Sequence, residues 1–482
     1  MKLFELLDRV EVLENTADPN MEITGVVSDS RKVTAGSLFV AVAGFAADGN
    51  RFIPMAMEKG AAVVVTAKKP EQDIPYVLVA SDRQALALIG TNYYGRPAES
   101  MTMIGVTGTN GKTSTTWLLK QVLEQVTGSK VGLIGTMANY IGAEELPTDR
   151  TTPESIELQA LFAQMRDGGC RYAVMEVSSH ALVLDRVAGI TFDVAAFSNL
   201  TRDHLDFHNT MEEYCDAKAI LFTRCHKAVV NRDDPWAQRI VQNCTAPVLT
   251  VSVGKEAGLQ AKNVEMRADH VRFDVVYNGE TVAVQVPIPG KFTVYNVLSV
   301  LGIALQLGIS LQDAAEALKN VQGVKGRVEV VPTPGKDYTI LIDYAHTPDG
   351  LENVLSSVRG FCKGRLIALF GCGGDRDKTK RPIMAGLGVK LADVAILTSD
   401  NPRTEDPNAI LQDLQAGVGD ATNYVVIENR IQAIHYAMDM AKKEDIIVLA
   451  GKGHETYQEI MGVKHHLDER EVVAAYLTET EK

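Results

Sequence analysis

Short apolar runs rich in β-branched residues recur at 37–43, 61–65, 76–80, 103–106, 130–135, 172–175 and 194–197, and again at 339–342, 366–370, 394–398 and 446–450. Runs of that length predict strands buried on both faces. Between them apolar residues return at helical spacing, as in Trp117, Leu118, Leu119, Val122, Leu123 and Val126, in 156–165, in 211–222, after Tyr295-Asn296, and in 351–358. Alternation of this kind predicts an α/β fold with doubly wound parallel sheets. Three local patterns add detail. The opening MKLFELLDRVEVLE predicts an amphipathic helix. Thr152-Pro153-Glu154 predicts a helix start with proline in the first turn, and the alternation over 251–286 predicts antiparallel edge strands.

Three domains follow: a small N-terminal α/β unit over 1–96, a central unit over 97–329, and a Rossmann-like α/β unit over 330–482. Tyr93-Tyr94-Gly95-Arg96-Pro97 marks the first hinge. The net charge of −13 disfavours nucleic-acid and anionic-membrane partners. No apolar stretch approaches the roughly 18 residues that span a bilayer. Six cysteines without a Cys-x-x-Cys pair predict reduced thiols in the cytoplasm, and a monomer is expected.

Chemistry concentrates where the second unit opens. The strand at 103–106 runs into Thr107-Gly108-Thr109-Asn110-Gly111, then Lys112-Thr113-Ser114 and a helix. Strand, glycine turn, Lys-Thr and helix make a phosphate-binding loop, because backbone N–H groups surround a polyphosphate only where no Cβ blocks them. Lys112 then reaches the β- and γ-phosphates of ATP, and Thr113 ligates Mg²⁺. The generic loop has glycine where this chain has Val106. A plain glycine turn before a surface helix is the bland alternative, and the complete strand and helix context disfavours it. Glu176 and His204 follow two further predicted strands, at the ends where open α/β sheets bind ligands. Their oxygen and imidazole donors suit two divalent ions, Mg²⁺ with Mn²⁺ as an option at the second. In the first unit Ser28-Asp29-Ser30-Arg31 offers hydroxyls and a guanidinium to a phosphorylated ligand, although alone it reads as a capped turn.

Taken together, Thr107 to Thr113, Met175-Glu176-Val177-Ser178-Ser179-His180, Asn199-Leu200-Thr201-Arg202-Asp203-His204-Leu205-Asp206, Ala217-Lys218-Ala219-Ile220-Leu221-Phe222 and Asp343-Tyr344-Ala345-His346-Thr347-Pro348 resemble the Mur ligases of peptidoglycan synthesis. The likeness covers essentially the whole chain. It implies an ATP-dependent amide ligase in cell-wall synthesis, working through an acyl phosphate. It also implies roles: Lys112, Glu176, His204 and a carbamylated Lys218 in catalysis, and Thr113, Glu176, His204 and Lys218 as metal ligands. Gly108, Thr109, Asn110, Gly111, Ser114, Asn296, Arg327 and Asp343 would contact the nucleotide. Ser30, Thr151, Thr152, Ser178 and Arg186 would hold a UDP-muramoyl dipeptide, with Leu184 standing where such ligases often carry glutamine.

Asp400-Asn401-Pro402-Arg403 bears on the amino acid to be joined, since diaminopimelate differs from lysine by a carboxylate that a guanidinium can grip twice. Read alone, the tetrapeptide is a turn signal. The family's diaminopimelate-adding members carry the same four residues, and Arg376, Gly451 and Glu455 match further amino-acid-binding positions. The resemblance therefore implies meso-diaminopimelate over a lysine-adding relative, while the first domain with Ser28-Asp29-Ser30-Arg31 argues against a folylpolyglutamate synthase. A P-loop switch or transport ATPase is the reading from another class; it calls for the full loop pattern and has no use for three ligand-bearing domains.

Overall fold

A computed structural model describes residues 1–44 and 48–480. The chain forms two compact units, Met1–Gln260 with Asn296–Ala314, and Ala261–Tyr295 with Ala315–Lys482. It is an α/β protein throughout. Among the described residues no helix is long and apolar enough to cross a membrane.

The first unit begins with β1 (Val12–Asn15), β2 (Gly25–Val27), β3 (Ser37–Val40), β4 (Val63–Thr66) and β5 (Tyr76–Val79), ordered β1-β5-β4-β3-β2. Only β1 runs antiparallel to its neighbour. The expected N-terminal helix shrinks to Leu3–Leu6. Arg9, at φ 62°, turns the chain out of the helical region, and Val12 pairs with Val79 instead.

A larger sheet follows from β6 (Thr102–Thr107), β7 (Lys130–Ile134), β8 (Asn139–Ile141), β9 (Glu144–Leu146), β10 (Cys170–Glu176), β11 (Phe192–Phe197), β12 (Cys225–Asn231) and β13 (Val248–Ser252). Their order is β13-β12-β11-β6-β10-β7-β8-β9. The six from β13 to β7 are parallel, while β8 and β9 close the edge antiparallel. Their near-continuous burial matches the apolar runs, as helices cover both faces. Because β10 and β11 flank β6 on opposite sides, the carboxyl end of β6 is a topological switch point, where such sheets bind ligands.

Two local expectations need correction here. The helix after Pro153 spans Ser155–Asp167 with an extended Glu154 as N-cap, so the proline lies outside its first turn. Thr152 explains this, since its hydroxyl donates to the Glu176 carbonyl at 2.9 Å and holds the chain extended against the end of β10. After β13 the chain makes a short excursion, anchored where Asp233 accepts hydrogen bonds from Ser252, Val253 and Gly254. It then re-enters as β14 (Leu259–Met266) parallel to β13, not antiparallel. The antiparallel pattern holds for β15 (Val271–Tyr277) with β16 (Glu280–Val286).

In the second unit β17 (Glu329–Val331), β18 (Thr339–Asp343), β19 (Leu366–Phe370), β20 (Val394–Leu397), β21 (Tyr424–Val426) and β22 (Ile446–Ala450) order as β17-β18-β22-β19-β20-β21. All but β17 are parallel. A hairpin of β23 (Tyr457–Ile460) and β24 (Val463–His466) follows. Charge braces this unit as well as apolar packing. Arg381, fully buried, donates to both Glu405 oxygens at 3.1 and 2.9 Å and to Asp413 at 2.8 Å. The guanidinium hydrogen bonds hold the Glu405 carboxyl at about 2, against an ordinary 4.5.

A depressed carboxylate stabilises the fold above its unfolded pKa and loses that contribution as pH falls through the folded value. Denaturant unfolding should therefore show stability that drops between 4.5 and about 2. In Glu405→Gln that segment of the pH profile flattens, and an unchanged profile would show that the pair carries no such linkage.

Candidate functional site

The end of β6 builds the first site. Val106 is fully buried and pairs with Glu176 and Ala196, so the position where a generic loop has glycine belongs to the strand here. The turn that follows is pinned to the end of β11: Thr109 N donates to the Asn199 carbonyl at 2.8 Å, Asn110 N to Asn199 Oδ1 at 2.9 Å, and Ser198 Oγ to the Asn110 carbonyl at 2.6 Å. Gly108 and Gly111 have φ of 146° and 84°, and a Cβ on either would collide with Ser198 Oγ or Asn296 Oδ1. Gly111 caps the helix Lys112–Thr127, which places Thr113 and Ser114 in its first turn. Asn296 is buried beside that turn, and Thr115 Oγ1 donates to it at 3.4 Å.

Two ammonium groups meet at one oxygen in this loop. Lys112 Nζ donates to the carbonyls of Gly108 and Thr109, both at 2.9 Å, and Lys218 Nζ donates to Gly108 at 2.8 Å. Lys218 is 1% exposed and lies 4.6 Å from the centre of the Tyr214 ring. Burial, reinforced by the charge on Lys112, pushes its pKa well below the ordinary lysine range. The Tyr214 hydroxyl shares a hydrogen bond with Thr109 Oγ1 at 3.2 Å.

Glu176, delivered by β10, is buried and accepts from Thr113 Oγ1 at 3.0 Å, Thr136 N at 2.8 Å and Thr136 Oγ1 at 3.0 Å. The Thr113 hydroxyl and the Glu176 carboxylate thus form an oxygen pair of the kind Mg²⁺ takes. His204 stands elsewhere in the group. At φ 53°, its ring lies 5.1 Å from His180 and 5.9 Å from Tyr214. Among the described residues no three of His, Cys, Asp and Glu are gathered as a metal site. Of the four expected ligands, Thr113 and Glu176 touch each other, while His204 and Lys218 share contact with Tyr214.

The expected dipeptide-binding residues form a connected group beside Glu176. Thr151 Oγ1 is 3.0 Å from Thr136 Oγ1, Ser178 N donates to Thr152 Oγ1 at 3.2 Å, and Arg186 Nη1 donates to the Thr152 carbonyl at 3.1 Å. Ser178 also caps the helix Ser179–Val183, and Leu184 is that helix's C-cap. Ser30 is not part of this group; it lies buried in the turn Ser30–Lys32, with its hydroxyl 3.6 Å from Met55 Sδ. His208 was not legible as a site residue. It is buried with Nε2 2.8 Å from Ser179 Oγ, and burial, with His180 nearby, pushes it down to about 4.

The second unit holds its own site, a cavity of about 310 Å³ at the carboxyl ends of its strands, lined by Arg376, Lys380, Asp400, Asn401, Arg403 and Glu455 among others. Arg403 Nη1 donates to the Gly374 carbonyl at 2.8 Å, and its Nε lies 3.4 Å from Glu459. Its remaining guanidinium donors are suited to a carboxylate. Its backbone is clamped by β23: Arg403 N donates to Glu459 at 3.0 Å and Met461 N donates to Arg403 at 2.6 Å. The Pro402 carbonyl accepts from Glu405 N, Arg376 Nη1 donates to the Asp375 carbonyl, and Gly451 N donates to the Asp343 carbonyl. Asp343 accepts from Val328 N at 2.8 Å and Ala345 N at 2.9 Å, with burial raising its carboxyl, and Arg327 lies 5.7 Å from the Tyr344 ring centre.

Lys452 organises this cavity, although its spacing gave it no role. Fully buried, its Nζ donates to Asn401 Oδ1 at 3.1 Å and Glu455 Oε2 at 3.3 Å, with Asp400 at 3.9 Å. Asn401 completes the bridge by donating to Glu455 at 2.8 Å and accepting from Glu459 N at 2.9 Å. Its side chain is therefore committed to the frame. Arg430, also buried, donates to the carbonyls of Ser399 and Ala450, the residues just before Asp400 and Gly451.

Three family descriptions match the chain: Mur ligase family, catalytic domain, over residues 22–91; Mur ligase middle domain over 106–304; and Mur ligase, glutamate ligase domain, over 326–453. The chain is similar to UDP-N-acetylmuramoyl-L-alanyl-D-glutamate–2,6-diaminopimelate ligase 1 of Clostridium acetobutylicum, 47% identical over 99% of this chain and 100% of the relative. It is also similar to the ligase of that name from Clostridium botulinum, 47% identical over 95% of this chain and 96% of the relative. A solved structure of such a ligase superposes with a TM-score of 0.80 at 32% identity, covering 100% of this chain and 99% of that one.

Removing the shared buried cation leaves Asp400 and Glu455 without it, a loss of about 3 kcal/mol when one partner of a buried pair is deleted. Chemical denaturation of Lys452→Met should show that loss. Lys380→Met, which removes a cation from the same cavity wall but not from the buried frame, should stay within about 0.5 kcal/mol of wild type. Equal effects in the two variants would contradict the role given to Lys452.

Proposed function

The chain belongs to the Mur ligase family and is an ATP-dependent ligase, and on that footing we propose that it joins meso-2,6-diaminopimelate to UDP-N-acetylmuramoyl-L-alanyl-D-glutamate as a cytoplasmic monomer. We divide the chain at 96 and 329 into a UDP-binding, an ATP-binding and an amino-acid-binding domain. The observation that carries the specificity is the charge pattern of the second-unit cavity. Arg376, Lys380 and Arg403 offer cations for two carboxylates, and Asp400 and Glu455 offer anions for the ammonium groups. Lysine would leave guanidinium donors in the cavity without a ligand carboxylate, which a desolvated site penalises.

In the first step an oxygen of the D-glutamyl γ-carboxylate bonds to the γ-phosphorus of ATP as the bond to the β-phosphate oxygen breaks, giving acyl phosphate and ADP. In the second, a diaminopimelate amine, having lost its proton, bonds to the acyl carbon and inorganic phosphate leaves. Two anions meet in the first step, so Lys112 and the loop N–H groups hold the phosphates in place and offset their charge. Thr151, Thr152, Ser178 and Arg186 orient the carboxylate substrate beside them, Ser30 binds its UDP end, and Asn296, Arg327 and Asp343 hold the nucleoside. Thr113, Glu176, His204 and a carbamylated Lys218 are the groups that would hold Mg²⁺, which when bound neutralises phosphate charge. The carbamate reading comes from the family resemblance and is supported by burial, which disfavours the ammonium and so favours the neutral amine that adds CO₂ and releases a proton.

An ADP-release assay should show ligation with meso-diaminopimelate and little with L-lysine. Arg403→Ala should lower kcat/KM for diaminopimelate by about 10²–10³, the cost of leaving a buried charge partner unpaired, with the preference over lysine collapsing. A wild-type preference for lysine would overturn the specificity. Carbon-13 bicarbonate should give a carbamate resonance that Lys218→Ala lacks.

A further inference from the structure

The first unit contains a second cavity, of about 280 Å³, and none of its lining residues has been given a role above. Arg9, Gln84, Thr91, Asn92, Arg96 and Arg224 line it. Among the described residues its wall carries three guanidiniums and no carboxylate. Their counter-charges are not among the lining residues: Glu99 is 3.3 Å from Arg9 and 3.8 Å from Arg96, Asp185 is 3.2 Å from Arg224, and Asp8 pairs with Arg96 and lies 3.8 Å from Arg9. Such backing carboxylates fix the direction of a guanidinium without occupying all five of its donors.

Two further features are costly for a crevice with no ligand. Arg224 Nη1 is buried and has no hydrogen-bond partner, so a ligand oxygen or a water there would satisfy it. Arg9 and Arg96 both adopt the left-handed region, at φ 62° and 52°, although neither is glycine. Arg96 also precedes Pro97, which narrows its backbone choices further. Strained residues of this kind persist where surrounding structure holds a functional side chain in place. Asn92 supplies that hold: its Nδ2 donates to the carbonyls of Leu6 and Asp8 at 2.9 and 2.8 Å, and its Oδ1 accepts from Arg96 at 3.1 Å.

We infer that this cavity is a binding site for a small, multiply charged oxyanion gripped by Arg9, Arg96 and Arg224, separate from the phosphate loop. Phosphoryl and carboxylate anions share the required chemistry, planar or tetrahedral oxygens matched to guanidinium forks. Arg96 lies in the 93–97 connection between the first sheet and β6, and Arg224 directly precedes β12, so a bound anion ties these elements together.

Pyrophosphate and, separately, citrate are titrated calorimetrically at constant ionic strength into protein saturated with MgADP, UDP and meso-diaminopimelate, which fill the phosphate loop, the expected nucleotide-sugar site and the second-unit cavity. One saturable equivalent is expected for at least one anion. Its affinity should fall by at least about tenfold in Arg9→Met and in Arg224→Met and stay unchanged in Arg376→Met. Arg9, largely exposed, is the variant least able to disturb folding, and circular dichroism checks it. Binding of pyrophosphate alone identifies a phosphoryl ligand, of citrate alone a carboxylate, and of both a site that reads charge. No saturable binding of either anion, or binding that survives both variants, overturns the inference.

Discussion

The side chains of Lys112 and Lys218 converge on the carbonyl oxygen of Gly108, and the turn that carries it is held so that both can reach it. Burial of Lys218, and after it the charge of Lys112 nearby, pushes the Lys218 pKa well below the ordinary lysine range. The carbonyl itself is held in place. Ser198 and Asn199 do this by pinning the turn to the end of β11, and the lack of a Cβ at Gly108 lets the chain approach that closely. The result is a compact cluster of polar groups, with the Lys112 ammonium among them, at the switch point of a parallel sheet. Polyphosphate chemistry needs such fixed positive charge.

The second unit solves a related problem in the same way. Lys452 is a buried lysine at a strand end, and here the partners are Asp400, Asn401 and Glu455. Through Asn401 and Glu459 the same network reaches the backbone of Arg403. Groups suited to ammonium and to carboxylate recognition are thus mechanically joined. Arg430 sets the carbonyls from which both loops depart, so the cavity rests on a rigid frame and not on mobile turns.

The parallel strands and the phosphate loop were legible because their signals are local: an apolar run, a glycine turn, Lys-Thr and a helical repeat fall within one stretch of chain. Glu176 was legible for the same reason, standing at the end of a run that buries completely. Lys452 was not, since a lysine between two glycines looks solvated until tertiary packing removes water from it. Asn401 was expected at a ligand, yet both ends of its amide serve the frame. The N-terminal helix failed because helical spacing over 1–14 competed with pairing to β5, and the sheet won at Val12. Direction at β14 depended on an anchor, Asp233, whose partners lie some twenty residues away.

The central claim is that the phosphate loop activates a carboxylate of the substrate. Labelling the D-glutamyl γ-carboxylate of the UDP-muramoyl dipeptide with oxygen-18 and following the label through ATP-dependent ligation tests it directly. Attack of the carboxylate on the γ-phosphorus predicts one labelled oxygen in the inorganic phosphate for each amide bond formed. Inorganic phosphate free of label, with ligation proceeding, would contradict it.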